Sequence, residues 1–181
     1  MFTKLEALYS DIAFHTDQVR TRFNWWPCRE NCDLCCHFSL FHVSEVEALY
    51  MMQAVDSLGK FRKRAIRDKA RSEVSKVHQK AGYNSWITIT KDHGTDECVC
   101  PLLDDGMCIV YDKRPVLCRA FGYFLFANDG QSYWCERVAD SLVKHKDEKP
   151  QAKRFEMLEE RMKGVLWGQV KPIVAWLDVL I

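Results

Sequence analysis

The sequence predicts a mainly α-helical fold with one small β-hairpin and irregular cysteine-rich loops. Apolar residues recur at helical spacing along much of the chain, whereas strand-forming runs are confined to residues 86–90 and 107–111. Nine cysteines in 181 residues are concentrated in two segments outside the clear helical patterns. Because a chain of this length can bury an apolar core without disulfides, we expect one compact domain over residues 1–181. Its motif-bearing core spans about 28–136, with helical extensions at both ends.

Three segments are predicted to be helices that pack on the core, because their apolar residues lie three or four positions apart. They span residues 2–23, 152–166 and 170–181. In the last of them Pro172 falls in the first turn, where its missing N–H group costs no hydrogen bond. The side chains expected to face the core are Leu5, Leu8, Ile12, Val19, Phe155, Leu158, Met162, Trp176, Leu177 and Leu180.

Two further helices are predicted on either side of Gly59. Ser44 and Glu47 fit a capping box, so one helix begins there and ends before Gly59. Residues 60–80 follow, with nine Lys and Arg against two acidic residues, an excess of seven positive charges. This helix presents either a surface for an acidic partner or nucleic acid, or an ordinary solvated face. The apolar stripe expected to form its buried edge is Phe61, Ile66, Ala70, Val74 and Val77.

Composition and charge argue against some classes of protein. The formal net charge is +1, so the whole molecule is not an electrostatic attractor of nucleic acid. The apolar stretches are too short to span a bilayer, and acidic residues precede any apolar run at the start, so we expect neither a membrane segment nor a signal peptide. The expected compartment is a reducing cytoplasm, where clustered cysteines are metal ligands or redox groups rather than disulfides.

The cysteines carry the chemistry of this sequence. Two cysteines separated by two residues can turn both sulfurs toward one ion, while N–H groups of the loop between them point at the thiolates. The side chains of the adjacent Cys35 and Cys36 tend to point apart, so one of them serves a second metal, a bridge or the core. Both cysteine-rich segments are therefore predicted to be irregular metal-binding loops. Their members are Cys28, Cys32, Cys35 and Cys36 in the first segment and Cys98, Cys100, Cys108, Cys118 and Cys135 in the second.

The two strand-like segments are predicted to pair with each other as a hairpin. Residues 86–90 (Trp-Ile-Thr-Ile-Thr) are mostly β-branched, and residues 107–111 follow the turn signal Asp104-Asp105-Gly106. Because two strands alone are only marginally stable in water, we expect the metal to pin them.

Two motifs in this order resemble a known family. Residues 32–36 (Cys-Asp-Leu-Cys-Cys), followed by residues 41–47, and the segment 100–121, with Cys-Pro-Leu-Leu and the pattern CxxYxxRPxxCRxF, resemble the CxxCxxCC cysteine-cluster family. This family is a YkgJ-like zinc- or iron-chelating domain, and the resemblance covers about residues 28–136. The resemblance implies eight metal ligands, Cys28, Cys32, Cys35, Cys36, Cys100, Cys108, Cys118 and Cys135, with Cys98 outside the set.

The first spacing departs from the family pattern, because three residues rather than two separate Cys28 from Cys32. Together with Cys35 this is also the spacing of radical-SAM iron–sulfur enzymes, in which three thiolates hold a cluster. Those enzymes need a much larger parallel β/α barrel than this chain supplies, so we set that class aside.

Residues around Cys118 are secondary candidates. Pro115 predicts a short helix whose N-terminal N–H groups lower nearby thiol pKa values and favour thiolate. Arg114 and Arg119 either offset the negative charge of the thiolates or pair with surface carboxylates. The carboxylates in question are Asp104 and Asp112.

Histidines and acidic residues also lie near the cysteines in the chain. His37, His42 and His93 are each expected to be structural rather than ligands. The acidic stretch is expected to be solvated rather than to supply a ligand or a base. It comprises Asp92, Asp96, Glu97, Asp104 and Asp105.

Several metals and three functions remain open. Eight thiolates suit two zinc sites, one four-cysteine iron–sulfur cluster plus one zinc, or one cluster with four spare thiols; the Cys-Cys dipeptide and isolated later cysteines favour iron–sulfur over zinc. The first function is a metal-binding module for redox chemistry, metal handling or protein maturation, with a protein as a further partner. The second is a protein-modifying enzyme, since the domain resembles part of the flagellin lysine N-methylases. The third is a zinc-stabilised adaptor that binds an acidic partner or nucleic acid through residues 60–80.

Overall fold

The computed structural model describes residues 1–29, 32–80, 87–89, 99–128, 131–133, 135–148 and 153–181. Within these residues the fold is mainly helical with small β-sheets, as predicted. The helices are α1 (Thr3–Arg22), α2 (Leu34–Phe38), α3 (Glu45–Asp56), α4 (Lys60–Lys80), α5 (Val116–Ala120), α6 (Glu136–Lys144), α7 (Glu156–Lys163) and α8 (Ile173–Leu180). Short 3₁₀ turns lie at Tyr111–Lys113 and Lys146–Glu148. Among these helices none is both long and apolar enough to cross a membrane.

The strands form three small sheets. They are β1 (Ser39–Ser44), β2 (Ile87–Ile89), β3 (Leu103–Asp104), β4 (Met107–Cys108), β5 (Phe124–Asn128), β6 (Gln131–Tyr133), β7 (Lys153–Arg154) and β8 (Val170–Pro172). The first half of β1 pairs antiparallel with β2, and its second half pairs antiparallel with β8. Strand β5 pairs antiparallel with β6 and parallel with β7, and β3 pairs with β4.

The predicted hairpin between residues 86–90 and 107–111 is wrong. Ile87–Ile89 pairs with β1, whereas Met107–Cys108 pairs with β3. Asp105 and Gly106 explain the second pairing, because both have positive φ angles, 51° and 75°. A two-residue turn of this kind reverses the chain tightly, so the strands on its two sides pair with each other. Trp86 and Thr90 lie outside the described residues.

The predicted helices at both ends of the chain are present, but the second and third are shorter than the predicted ranges 152–166 and 170–181. Lys153–Arg154 and Val170–Pro172 are strands, and Pro172 is the N-cap of α8 instead of lying in its first turn. Each places its apolar residues in the core as expected, except that Val19 and Leu180 are only part-buried. The helix predicted at the capping box is also confirmed as α3, because the Ser44 N–H donates to the Glu47 carboxylate at 3.0 Å.

Two apolar cores hold these helices together. The first is built mainly from α1, α5, α6 and α7, and its buried members include Leu8, Ile12, Leu117, Val138 and Leu158. The second is built mainly from β1, α3, α4 and α8, with α4 packed along α8. Its buried members include Val43, Met51, Ile66, Val174 and Leu177. Cysteines pack in both cores: Cys28, Cys35, Cys118 and Cys135 in the first, and Cys100 and Cys108 in the second.

The basic segment is a helix with one buried edge, as predicted. Ile66 and Ala70 are buried and Val74 is part-buried, but Phe61 is 91% exposed, so its place in the apolar stripe was wrong. The side chain of Val77 lies outside the described part of the chain. Four basic residues of α4 pair with carboxylates, through the ion pairs Arg62–Asp104, Lys63–Asp56, Arg64–Asp68 and Arg71–Asp178. These pairs neutralise much of the positive face and support its interpretation as a solvated helix surface.

Candidate metal centre

The fold brings the eight predicted ligands to one region. Cys35 and Cys36 lie on α2, Cys108 on β4 and Cys118 on α5, while Cys135 immediately precedes α6. The Cys100 N–H donates to the Cys36 carbonyl at 2.7 Å, which joins the two cysteine-rich segments through the backbone. All eight are free thiols, of which Cys135 is buried and the others are part-buried.

Two adjoining cavities lie among these thiols. The apolar cavity, of about 40 Å³, is walled by side chains such as Phe41, Leu102 and Ile173. Its cysteines are Cys32, Cys35, Cys36, Cys100, Cys108 and Cys118. The arginine-lined cavity, of about 130 Å³, is bordered by Arg20, Arg29, Arg114 and Arg119. Its cysteines are Cys28, Cys32, Cys35, Cys118 and Cys135.

Burial and mutual repulsion hold most of these thiols in the protonated form. Burial raises the pKa of Cys28 to about 11, and the nearby Cys32 acts in the same direction. Burial likewise raises the pKa values of Cys108, Cys118 and Cys135. In the absence of a cation, thiolates packed this closely would repel one another in a medium that solvates them poorly. Without metal, most of these cysteines are therefore protonated, and a bound cation would have to displace their protons.

The adjacent thiols of Cys35 and Cys36 are the exception, because they share one hydrogen bond. The interaction with Cys36 raises the pKa of Cys35 well above its ordinary value, and burial adds to the rise. The same bond lowers the pKa of Cys36, and the guanidinium of Arg114 acts in the same direction. Cys36 is therefore the member of this pair that ionises first.

The short helix predicted at Pro115 is present as α5, but its predicted effect on Cys118 is wrong. Burial raises the pKa of Cys118 instead of the helix start lowering it. The first N–H of α5, that of Val116, already donates to the carboxylate of Glu47 at 2.7 Å. The helix start is thus occupied by a protein carboxylate. N–H groups at the start of α6 do lower the pKa of Cys135, although burial outweighs them.

Arg114 and Arg119 lie beside the thiols and bind backbone carbonyls. Arg114 Nε donates to the Tyr111 carbonyl at 3.0 Å, and Arg119 Nε donates to the Arg114 carbonyl at 2.7 Å. Arg119 also donates to the Asp112 carbonyl. Within the described part of the chain, neither arginine forms an ion pair with Asp104 or Asp112. Asp104 pairs with Arg62 instead.

These two arginines are close enough to repel each other. Burial lowers the pKa of Arg119, and Arg114 acts in the same direction. Two neighbouring part-buried guanidinium groups are stabilised by nearby negative charge. Arg114 lowers the pKa values of Cys36, Cys108 and Cys118, so thiolates formed there would supply that charge. The arrangement favours charge compensation of thiolates over pairing with surface carboxylates.

Glu47 is a residue of the site that sequence reasoning identified only as a helix cap. Its carboxylate is 2% exposed and accepts hydrogen bonds from the Ser44 N–H, the Ser44 hydroxyl and the Val116 N–H. Burial raises the pKa of Glu47, and these three donors oppose the rise. The carboxylate therefore joins the start of α3 to the start of α5, which carries Cys118.

Gly122 and Tyr123 hold the segment that carries Cys28. A Cβ atom on Gly122 would lie 3.0 Å from Cys28 Sγ and 3.8 Å from the Cβ of Cys135, and the φ angle of Gly122 is +89°. The Tyr123 hydroxyl donates to the Cys28 carbonyl and accepts a hydrogen bond of 2.6 Å from Arg20 Nε. No sequence motif marked this contact, because it joins residues about 95 positions apart.

The remaining candidates stand apart from this centre or outside the described residues. His37 interacts with Asp33 at 3.1 Å, and His42 is buried, so both are placed as structural residues would be. Asp105 is exposed in the tight turn. The other candidates, Asp92, His93, Asp96, Glu97 and Cys98, lie outside the described residues.

The donor set fits a thiophilic metal in its chemistry. Thiolates are the ligands of structural zinc and of iron–sulfur clusters, and eight cysteines border the two cavities. Within the described residues, no group of three or more His, Cys, Asp or Glu side chains is already placed to hold an ion. That finding is consistent with protonated thiols, because a metal ligand must first lose its proton. The sulfurs would have to draw together around a cation.

Comparisons of this chain with protein families, curated proteins and solved structures give no match. The resemblance to the cysteine-cluster family therefore stays a prediction from the motifs.

Proposed function

We propose that this protein binds metal through its eight clustered cysteines, holding an iron–sulfur cluster or zinc. The observation that carries this proposal is the convergence of eight free thiols, from segments far apart in the chain, on two adjoining cavities. Free cysteines otherwise pack singly as small apolar side chains. Ionisation of thiols that raise one another's pKa is unfavourable unless a cation offsets the charge of the thiolates.

Arginines and apolar walls support the same proposal. Arg114 borders both cavities and favours the ionised form of three thiols. The apolar wall limits access of water, which strengthens thiolate–metal attraction. When bound, the metal would supply either a fixed structural cross-link, if it is zinc, or electron transfer, if it is an iron–sulfur cluster. The cysteine pattern favours the cluster, and the cellular role would be redox chemistry, metal handling or protein maturation in a reducing compartment.

The adaptor function has less support. Four basic residues of α4 pair with carboxylates, which leaves a weaker positive face for an acidic partner. Nothing in the site favours the protein-modifying enzyme.

Anaerobic purification with metal analysis and visible absorption spectroscopy tests the proposal. We expect stoichiometric metal, and a brown protein whose absorption bleaches on reduction if the metal is an iron–sulfur cluster. A colourless protein with stoichiometric zinc would support zinc instead. The proposal fails if the purified chain carries no metal and takes up neither zinc nor iron and sulfide on reconstitution.

A further inference from the structure

We infer that the eight cysteines form two separate four-thiolate sites, and that the adjacent Cys35 and Cys36 belong to different ones. This inference rests on the proposed function and specifies how its ligands are divided. The first quartet is Cys36, Cys100, Cys108 and Cys118. The second quartet is Cys28, Cys32, Cys35 and Cys135.

The first quartet surrounds the apolar cavity. The backbone bond between Cys100 and Cys36 places these residues side by side. The thiols of Cys100, Cys36 and Cys108 each raise the pKa of Cys118. The thiol of Cys36 likewise raises the pKa of Cys108. All four members border this cavity; Cys32 and Cys35 of the second quartet border it too, whereas Cys28 and Cys135 do not.

The second quartet surrounds the arginine-lined cavity. Cys28 and Cys135 meet at Gly122, whose Cβ position would lie within 4 Å of both side chains. The thiols of Cys32 and Cys135 raise the pKa of Cys28. The thiol of Cys32 also raises the pKa of Cys135. All four members border this cavity; Cys118 of the first quartet borders it too, whereas Cys36, Cys100 and Cys108 do not.

Packing against the two apolar cores supports the same division. Cys28 and Cys35 pack on the first core, to which Cys135 belongs, while Cys100 and Cys108 pack on the second. Cys118 also packs on the first core, but its thiol neighbours are those of the first quartet. Five of the six cysteines that pack in a core therefore follow the division, and Cys118 does not.

The division falls between Cys35 and Cys36 because their other thiol neighbours differ. Both lie on α2 and their thiols share a hydrogen bond, so the expectation that the two side chains point apart was wrong. Cys36 acts on Cys108 and Cys118 of the first quartet. Cys35 is acted on by Cys118 and by Cys28 of the second quartet, and the first quartet is complete without it.

Four thiolates are the ligand set of a structural zinc ion and of a four-iron cluster. Two such sites would each carry excess negative charge. Arg114, which borders both cavities, is placed to offset it.

Titration of the anaerobic, metal-free chain with Co²⁺ tests the division. Native mass spectrometry should show one and then two bound ions, and X-ray absorption should show four sulfur neighbours per cobalt. The double variants Cys100→Ser/Cys108→Ser and Cys28→Ser/Cys135→Ser should each keep one ion. Cys98→Ser, outside the ligand set, is the matched control and should keep two.

The outcomes separate this inference from the proposed function. Saturation of the unaltered chain at one ion, or loss of both ions from a double variant that circular dichroism shows to be folded, would overturn the division. If a double variant fails to fold, the unaltered chain alone tests the division. Two bound ions with four sulfur neighbours each support it, and any other count contradicts it. Absence of bound Co²⁺ and Zn²⁺ in the unaltered chain, together with failure to take up iron and sulfide, would instead overturn the proposed function.

Discussion

At the scale of single residues, Gly122 controls where the Cys28 thiol lies. Its φ angle of +89° is accessible to glycine but strained for other residues, and its missing side chain leaves room for Cys28 Sγ at 3.0 Å from the Cβ position. The indole N–H of Trp26 donates to the Gly122 carbonyl at 3.1 Å and holds the turn in place. One residue without a metal-binding group thus shapes the second quartet.

We therefore expect Gly122→Ala to weaken metal binding by the second quartet and leave that of the first. The added methyl group would displace Cys28, and the strained φ would destabilise the fold by about 1 kcal/mol or more. Co²⁺ titration should show one retained high-affinity ion. Gly59→Ala is the control, because no atom lies within 4 Å of its Cβ position. Two ions bound with unchanged affinity in Gly122→Ala would contradict this role.

Arg114 acts on thiol ionisation, also at this scale. It lowers the pKa values of Cys36, Cys108 and Cys118, so its removal raises them and leaves fewer thiolates at a given pH. We expect Arg114→Met to move metal loading to higher pH and to weaken affinity at neutral pH about ten- to a hundredfold. Metal affinity measured across pH checks this. Arg64→Met, which removes an exposed guanidinium of α4, should bind metal as the unaltered chain does.

At the scale of secondary-structure elements, buried contacts rather than surface charges connect the parts of the fold. Glu47 accepts two hydrogen bonds from Ser44 at the start of its own helix α3 and one from the Val116 N–H at the start of α5, and the last of these orients the helix that carries Cys118. The ion pairs of α4 are solvent-exposed, and such pairs contribute little to stability. A single buried carboxylate therefore matters more to the site than the whole basic face.

We expect Glu47→Gln to lower the free energy of unfolding by about 1–3 kcal/mol. A neutral amide cannot accept hydrogen bonds with both of its terminal groups, so at least one buried N–H donor loses its partner. Urea unfolding measures the loss. Glu156→Gln, which removes the same charge from the exposed first turn of α7, should change stability by only a few tenths of a kcal/mol. Equal effects of the two substitutions would argue against the buried link.

At the scale of the whole molecule, cysteines of the candidate site pack in both apolar cores, so metal loading should be coupled to folding. Metal that binds the native state alone stabilises it by about 4 kcal/mol when its free concentration is a thousand times the Kd. We expect chelation to lower the urea midpoint by the corresponding amount. Equal midpoints with and without metal would place the metal outside the folding unit.

The metal-free form should also lose stability as the solution becomes alkaline. Burial raises the pKa of Cys28 from 9.0 to about 11, so the folded state favours its protonated thiol. The stability due to that thiol is fully present below pH 9 and is lost as the pH rises through about 11. Urea unfolding between pH 8 and 11 checks this. Cys28→Ser should weaken the dependence, and the metal-loaded form, whose thiols are already deprotonated, should lack this contribution.

Much of the fold could be predicted from the sequence because it depends on local patterns. Apolar spacing predicted α1, α7 and α8, and the Ser44–Glu47 pair predicted the start of α3. The strand pairing could not be predicted in the same way, since β2 and β8 both pair with β1 over long separations. The sequence did predict the turn at Asp105-Gly106. It did not predict that the strands on the two sides of this turn, β3 and β4, pair with each other.

What the sequence by itself determined is where most helices lie and which residues are candidate ligands, namely eight cysteines in two motifs. What only the tertiary structure decided is which of those residues meet. Cys28 lies beside Cys135 and Cys36 beside Cys100 because separate helices pack on two cores, and such distant contacts leave no periodic signal in a single chain. Tertiary burial also reversed the pKa shift expected at Cys118. A helix start acts within its first turn, whereas removal of a thiol from water depends on everything that packs around it.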